Sequence, residues 1–278
     1  MKTILITGAS GYIGQHIVKL LKDDYKVFAL DKSMNTNTGV SFIHKDIVKS
    51  VSSLEDLGHY DTIIHLAALV KVNESVEKPT EYYNTNVNGT LNILRNVGFN
   101  NFIFASTGAA QQPTSPYALS KRIAEDMVQE YCKDNGKSFT TFRFYNVIGS
   151  YAGLKPTNMD GLYYNLIKSK EQNIPFIING NDYNTKDGTP IRDYIDVRDI
   201  ALSIAEAIEK PANQLENLGT GVGYSVNEIV TAFNQVNNCN LQVQYGDRRP
   251  GDLERTVLDK PSSYYLGEYP IYDSLSLE

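Results

Sequence analysis

The sequence predicts an α/β protein: a doubly wound parallel sheet covered by helices, with a smaller C-terminal substrate-binding portion. Three observations predict it. Short apolar runs alternate with segments of helical spacing through the first 150 residues, and successive βα units build parallel sheets with helices on both faces. The first run leads directly into Gly8-Ala9-Ser10-Gly11-Tyr12-Ile13-Gly14, a glycine turn that opens a helix. The alternation stops after Gly149, where Tyr, Asn, Gly and Pro become frequent up to Pro190.

Residues 2–6 form an apolar run of the length of a buried parallel strand, and residues 12–22 carry Ile13, Ile17, Val18, Leu20 and Leu21 at helical spacing. Between them Gly8, Gly11 and Gly14 permit a tight turn and a close backbone approach. Tyr12 and Ile13 begin a helix whose first amides face an anion, so the stretch suits a dinucleotide pyrophosphate. Residues 26–30 form a second strand ending in Asp31, seventeen residues past Gly14. A carboxylate there accepts from a ribose 2′-hydroxyl and repels a 2′-phosphate, which predicts NAD rather than NADP.

Residues 40–44 read as a third strand. Asp46 and Ile47 follow it, either as an adenine clamp or as an ordinary surface turn. Residues 62–68 form a fourth strand running into Leu66, Ala67 and Ala68, where small side chains let a cofactor approach the backbone; His65 within it reads as a packed strand residue. A long helix is expected over residues 79–97, with Val87, Leu91, Leu94 and Val97 as its apolar stripe and Asn86 and Asn88 near it. Residues 100–105 form a fifth strand ending in Ser106-Thr107, and a second long helix starts near Pro116. Beyond Gly149, residues 200–208 and 226–236 read as helices and 241–245 as a strand. Residues 1–150 are therefore expected to form a Rossmann dinucleotide domain. Residues 151–278 are expected to be mainly the substrate-binding portion, with some segments returning to the first domain.

Composition narrows the class. The 278 residues are 41% hydrophobic and 21% charged, which suits a globular protein, and the net charge of −6 with no Lys/Arg run argues against a nucleic-acid surface. The first strand begins too early for a signal peptide, and no apolar stretch approaches membrane-span length. Cys132 and Cys239 show no metal-ligand spacing and read as reduced thiols of a cytoplasmic protein. The four histidines are scattered, so no metal site is expected.

The chemistry concentrates in Tyr117-Ala118-Leu119-Ser120-Lys121, which places Tyr117 and Lys121 four apart on one helix face. A free phenol titrates near about 10. A neighbouring ammonium, together with an oxidised nicotinamide, favours the phenolate and makes Tyr117 a general base. Thr107, at the end of the adjacent strand, is placed to hydrogen-bond the same substrate hydroxyl.

The glycine loop, Asp31 and the Tyr117/Lys121 pair resemble an extended short-chain dehydrogenase/reductase, and more closely the UDP-glucose (UDP-galactose) 4-epimerases. The resemblance runs through His65-Leu66-Ala67-Ala68, Val72 to Pro79, Tyr82 to Thr90, Gly180 to Val197, Asn217-Leu218-Gly219-Thr220-Gly221 and Arg248-Arg249-Pro250-Gly251-Asp252, ending near Asp259. It implies NAD held through turnover. Tyr117, assisted by Thr107, would take the proton of the sugar 4-hydroxyl, and a 4-keto sugar tethered by UDP would turn over before the hydride returns. It also implies that Asn86 joins Leu66, Ala67, Ala68, Asp46, Ile47, Tyr117 and Lys121 around the cofactor. Asn146, Asn165, Arg192, Arg249 and Asp252 would hold UDP, and a homodimer would form through the helices beginning at Pro79 and Pro116. Two arginines suit a pyrophosphate because each guanidinium donates twice.

The chain departs from the family pattern in four places. Ala105-Ser106-Thr107 stands for Ser-Ser-Ser and keeps a hydroxyl at the catalytic position. Val70-Lys71 stands where the pattern has a Lys directly after Ala-Ala-Leu. Only nine residues separate Thr107 from Tyr117, and the carboxyl end is short. Thr256, where some relatives carry a large aromatic, and the shortened loop both leave room beside the hexose, so N-acetylated UDP-hexosamines are expected as substrates too. A 4,6-dehydratase would need an acid/base pair after Thr107, where this chain has Gly108-Ala109. A nucleotide-sugar 4-ketoreductase uses the same Tyr and Lys and stands as the alternative. A non-catalytic nucleotide sensor is disfavoured by the intact Thr107, Tyr117 and Lys121.

Overall fold

The computed structural model describes residues 1–33, 39–49, 54–249 and 252–277; Pro250 and Gly251 of the Arg-Arg-Pro-Gly-Asp stretch lie outside the described residues. The chain divides into two compact units, Met1–Phe144 with Ala201–Glu216, and Tyr145–Ile200 with Asn217–Glu278. The division falls at Phe144 rather than at residue 150, because Asn146–Ile148 pairs with Ile191–Asp196.

The first unit runs β1 (Thr3–Thr7), α1 (Tyr12–Leu21), β2 (Lys26–Asp31), β3 (Ser41–His44), β4 (His59–His65), α2 (Val72–Glu77), α3 (Pro79–Tyr83), α4 (Gly89–Asn96), β5 (Gly98–Thr107), α5 (Pro116–Asp134) and β6 (Ser138–Phe144). Its sheet has the order β10 (Gln214–Leu218)-β6-β5-β4-β1-β2-β3. The pairs β1–β2, β1–β4, β2–β3, β4–β5 and β5–β6 are parallel. The order reverses between β1 and β4, and in open α/β sheets ligands bind beyond the strand ends at such a switch point. Leu5, Leu30, Ile63, Phe102 and Phe104 form the core with Ile93, Ala124 and Val128 from the helices.

Two elements differ from expectation. Residues 79–97 are not one regular α-helix: a π turn, Asn84–Asn88, separates α3 from α4. The buried positions are Tyr82, Asn86, Gly89, Thr90, Ile93, Leu94 and Val97, so polar Asn86 and Thr90 lie on the inner face while Val87 and Leu91 are only half-buried. Gly89 admits this packing, since a Cβ there would stand 2.7 Å from Ile47 Cδ1. The strand β6, next to the edge strand β10, escapes the apolar pattern because its buried positions include Thr140, Thr141 and Arg143.

The second unit contains β7 (Asn146–Ile148), α6 (Leu162–Gln172), β8 (Phe176–Asn179), β9 (Ile191–Asp196), β11 (Gly223–Ser225), α8 (Val226–Val236), β12 (Val243–Gly246), β13 (Arg255–Thr256) and α9 (Ile271–Leu275). β11, β9 and β13 form one small sheet with β7 also on β9, and β8 pairs with β12. Tyr163, Leu166, Phe176, Tyr194, Ile229 and Phe233 are its core. A capping box at Ser225 and Glu228 starts α8 by satisfying two otherwise unpaired amides. The helix α7 (Val197–Glu209) carries the chain from this unit into the first.

Candidate active site

The glycine loop connects β1 to α1 at the sheet's reversal point. Gly8 takes φ +71°, and a Cβ there would lie 2.7 Å from Ala67 N. A Cβ on Gly14 would lie 2.3 Å from Gly8 O. Both positions therefore require glycine, and the loop lies flat against Leu66-Ala67 at the end of β4. The N-cap of α1 is Gly11, which offers no side-chain cap. The first-turn amides at Tyr12 and Ile13 thus form the positive end of a helix of the kind that receives a pyrophosphate.

Asp31 stands at the end of β2. Its Oδ2 accepts from Ser10 N at 3.0 Å and its Oδ1 from Ser33 N at 2.8 Å. Each carboxylate oxygen retains capacity for one further donor, so Asp31 both fixes the loop and fits a ribose hydroxyl. The glycine cradle, the helix end and the carboxylate together fit a dinucleotide.

Three of the expected cofactor residues also have partners within the chain. Asp46 Oδ1 accepts from Val48 N at 2.8 Å and from Lys49 N at 3.4 Å. Ile47 is 5% exposed and packs in the core. Asn86 is fully buried: its Oδ1 accepts from Leu69 N, and its Nδ2 donates to Leu69 O and Ser120 Oγ. With both amide hydrogens engaged inside the chain, Asn86 holds the loop after β4. Leu66, Ala67 and Ala68 are half-buried at that loop.

Tyr117 is in the first turn of α5, where Ser115 is the N-cap and accepts from Ala118 N at 3.2 Å. Burial pushes its phenol up to about 12, and a hydrogen bond with Thr107 pulls the other way. Lys121, one turn on, is 3% exposed and its Nζ lies 4.1 Å from the centre of the Phe104 ring. Burial brings it down to about 7, opposed by the charge of Glu125. Desolvation thus acts against the charged form of both groups.

Glu125 continues the same face of α5. It receives Arg143 Nε at 2.8 Å, Arg143 Nη2 at 2.6 Å and Ser106 Oγ at 2.5 Å. This buried pair, which the sequence reading does not single out, ties α5 to the ends of β5 and β6. It fixes the strand end that bears Thr107. After Thr107 the chain enters a 3₁₀ turn, Gly108–Gln111, with Ala109 N donating to Thr107 Oγ1 at 3.3 Å.

The candidate nucleotide-sugar residues lie in the second unit. Arg192 on β9 donates through Nη1 to Ile191 O at 3.0 Å and to Leu253 O at 2.8 Å, with Nη2 3.7 Å from Asp252. β13 lies parallel to β9 and sets Thr256 directly opposite Arg192. Asn146 on β7 donates to Asp193 O at 3.0 Å. Arg192, Asp252, Thr256 and Asn146 are thus gathered by β9 and its neighbours. Two others sit on separate elements. Arg249 follows β12 and donates to the Asn179 amide oxygen at 3.1 and 3.2 Å when that amide is turned to suit. Asn165 on α6 donates to Met159 O and Gly161 O, both at 2.9 Å. Asp193, which the pattern of residues gives no reason to choose, accepts from Thr220 N, Thr220 Oγ1 and Gly221 N and is fully buried. Among the described residues no group of His, Cys, Asp and Glu could hold a metal ion, and no helix is long and apolar enough to cross a membrane.

A loop shaped for a pyrophosphate and a phenol–lysine pair beside a strand-end hydroxyl define a dinucleotide-dependent enzyme of the short-chain dehydrogenase/reductase class. Residues 4–219 match the NAD dependent epimerase/dehydratase family, and the chain belongs to that family. It is 33% identical to UDP-glucose 4-epimerase of Pasteurella multocida, across 92% of this chain and 89% of the relative. It is 32% identical to UDP-glucose 4-epimerase of Bacillus subtilis, across 92% and 88%. Among solved structures it resembles UDP-glucose 4-epimerase from Bifidobacterium longum in complex with NAD+ and UDP, with a TM-score of 0.87 and 28% identity over 99% of this chain and 96% of that one.

Proposed function

We propose that the protein epimerises UDP-hexoses at C4, using NAD, through a 4-keto sugar, and that UDP-glucose and UDP-galactose are its substrates. The observation that carries this reading is the Thr107–Tyr117 hydrogen bond, one helical turn from Lys121. When bound, NAD supplies a two-electron acceptor for C4 and a positive charge that favours the phenolate. Gly8, Gly11 and Gly14 with the first turn of α1 hold its pyrophosphate, and Asp31 holds a ribose. Tyr117 takes the proton of the 4-hydroxyl at its phenolic oxygen and later returns it. Thr107 Oγ1 orients that hydroxyl.

Arg192, Arg249, Asp252, Asn146 and Asn165 hold the UDP group, so the hexose is tethered through its nucleotide. Firm nucleotide binding with looser sugar contacts lets the 4-keto sugar present either face. Gly108 and Ala109 carry no group able to transfer protons, which disfavours the dehydratase reaction. Thr256, opposite Arg192, leaves volume beside the hexose for a 2-acetamido group. A homodimer and a cytoplasmic location complete the reading.

The test is a panel of UDP-hexoses and UDP-N-acetylhexosamines, assayed for C4 interconversion with native protein and with Thr256→Tyr. Both sugar classes should convert in the native protein, and the bulky side chain should reduce kcat/KM for the N-acetylated class selectively. Failure of every UDP-hexose to convert would overturn the reading.

A further inference from the structure

The switch point of the sheet holds a buried histidine that the reaction above does not use. His65 ends β4 with no exposed surface, and β1 pairs with β4 so that Thr7 is its direct neighbour. Its Nδ1 lies 2.7 Å from Thr7 Oγ1 and its Nε2 lies 3.0 Å from Thr90 Oγ1. Thr90 Oγ1 donates its single proton to Asn86 O at 2.7 Å, so it accepts from His65. The ring hydrogen therefore sits on Nε2, and Nδ1 accepts from the Thr7 hydroxyl. Thr7 Oγ1 in turn accepts from Ala67 N at 3.3 Å.

The chain of bonds continues on the far side. Asn86 donates to Ser120 Oγ at 2.9 Å, and Ser120 Oγ donates to the carbonyl of Tyr117 at 2.7 Å. One line of buried hydrogen bonds thus runs from the strand that opens the glycine loop, through His65 and the π turn, to the backbone of Tyr117. π turns recur at functional sites. The link is all neutral, because burial and then the Lys121 charge hold His65 down to about 3.

We propose that His65 is a positioning residue for the C4 chemistry, fixing the Tyr117 turn of α5 relative to the glycine loop through Thr7, Thr90, Asn86 and Ser120. The proposal rests on the epimerase reading for its kinetic consequence, but its structural part stands apart from substrate. Small displacements between a reacting centre and its base cost rate steeply. A break in the link therefore lowers kcat, whereas UDP, held by residues of the second unit, binds as before.

The experiment compares native protein with His65→Phe, His65→Gln, Thr90→Val and the double variant His65→Phe/Thr90→Val. kcat with UDP-galactose, the UDP dissociation constant and the histidine ¹⁵N spectrum are measured for each. His65→Phe keeps an aromatic ring beside Phe102 and Phe104, and Thr90→Val keeps shape while removing the hydroxyl. Each should lower kcat about ten-fold, the effect of roughly one lost buried hydrogen bond, with UDP affinity unchanged. The double variant should be no slower than His65→Phe, since both break one link. His65→Gln, whose amide can still donate towards Thr90, should recover part of the rate. Native kcat in Thr90→Val, UDP affinity falling in step with kcat, or losses that multiply in the double variant would overturn the proposal. The spectrum should show His65 neutral with hydrogen on Nε2 throughout pH 5–8; a ring that titrates there, or carries hydrogen on Nδ1, overturns it whatever the substrate. An inactive native protein with the expected spectrum would reject the epimerase reading and leave the hydrogen-bond line standing.

Discussion

Tyr117 shows how narrowly the chemistry is balanced at single residues. Burial raises its phenol to about 12, while the hydrogen bond with Thr107 favours the charged form. Tyr117→Phe removes the proton acceptor and keeps most of the packing. Turnover should fall roughly 10²–10⁴-fold, read as kcat with UDP-galactose, while UDP affinity is maintained. Asp31 is the corresponding residue for cofactor choice. Asp31→Ala should weaken NAD and narrow its advantage over NADP in titrations of cofactor-free protein. Equal affinity of the native protein for both cofactors would contradict the role. The same residue also holds Ser10 and Ser33, so part of the lost affinity would come from a looser loop.

At the scale of elements, helix starts and strand ends carry the exposed chemistry, and buried charge sets a pH signature. Asp199, in the first turn of α7, accepts from Glu268 N at 3.0 Å. Burial pushes its carboxyl up to about 6 from 3.8, against that hydrogen bond. Its folded value lies above its unfolded one, so its contribution is fully present below about 3.8 and is lost as pH rises through about 6. Asp199→Asn keeps an acceptor for Glu268 and removes the charge. Its melting temperature relative to native should therefore be more favourable at pH 7 than at pH 4; a difference independent of pH would contradict the assignment.

The elements also show what was legible in the sequence. β1, β2, α1, α5 and α8 were readable because their apolar spacing, glycines and caps act locally. The site loops around Gly8 and Tyr117 were readable for the same reason. The π turn was not, since regular spacing through residues 79–97 conceals an inner face built on Asn86 and Thr90. β6 was hidden by Thr140, Thr141 and Arg143, whose burial depends on distant partners such as Glu125. The partners of Asn86, Leu69 and Ser120, were hidden for the same reason, since they come from distant parts of the chain.

On the scale of the whole molecule, the chain separates two tasks. The first unit carries the dinucleotide cradle and the proton-handling group, and the second carries the arginines proposed for UDP. The stretch between Thr107 and Tyr117, where the proposed function puts the sugar, is short, while the Rossmann sheet and its switch point are complete. Cofactor handling should therefore be robust, with variation expressed in which hexose is accepted.

The central claim is that C4 is oxidised and reduced within one bound complex. The most direct measurement uses UDP-galactose carrying deuterium at C4, incubated with purified protein in ordinary water without added cofactor and, in parallel, with excess free NAD. The account predicts UDP-glucose that keeps its deuterium at C4 in both samples, with none transferred to the free NAD pool. UDP-glucose that has lost the label, or a reaction that proceeds only when reduced cofactor is supplied, would contradict it.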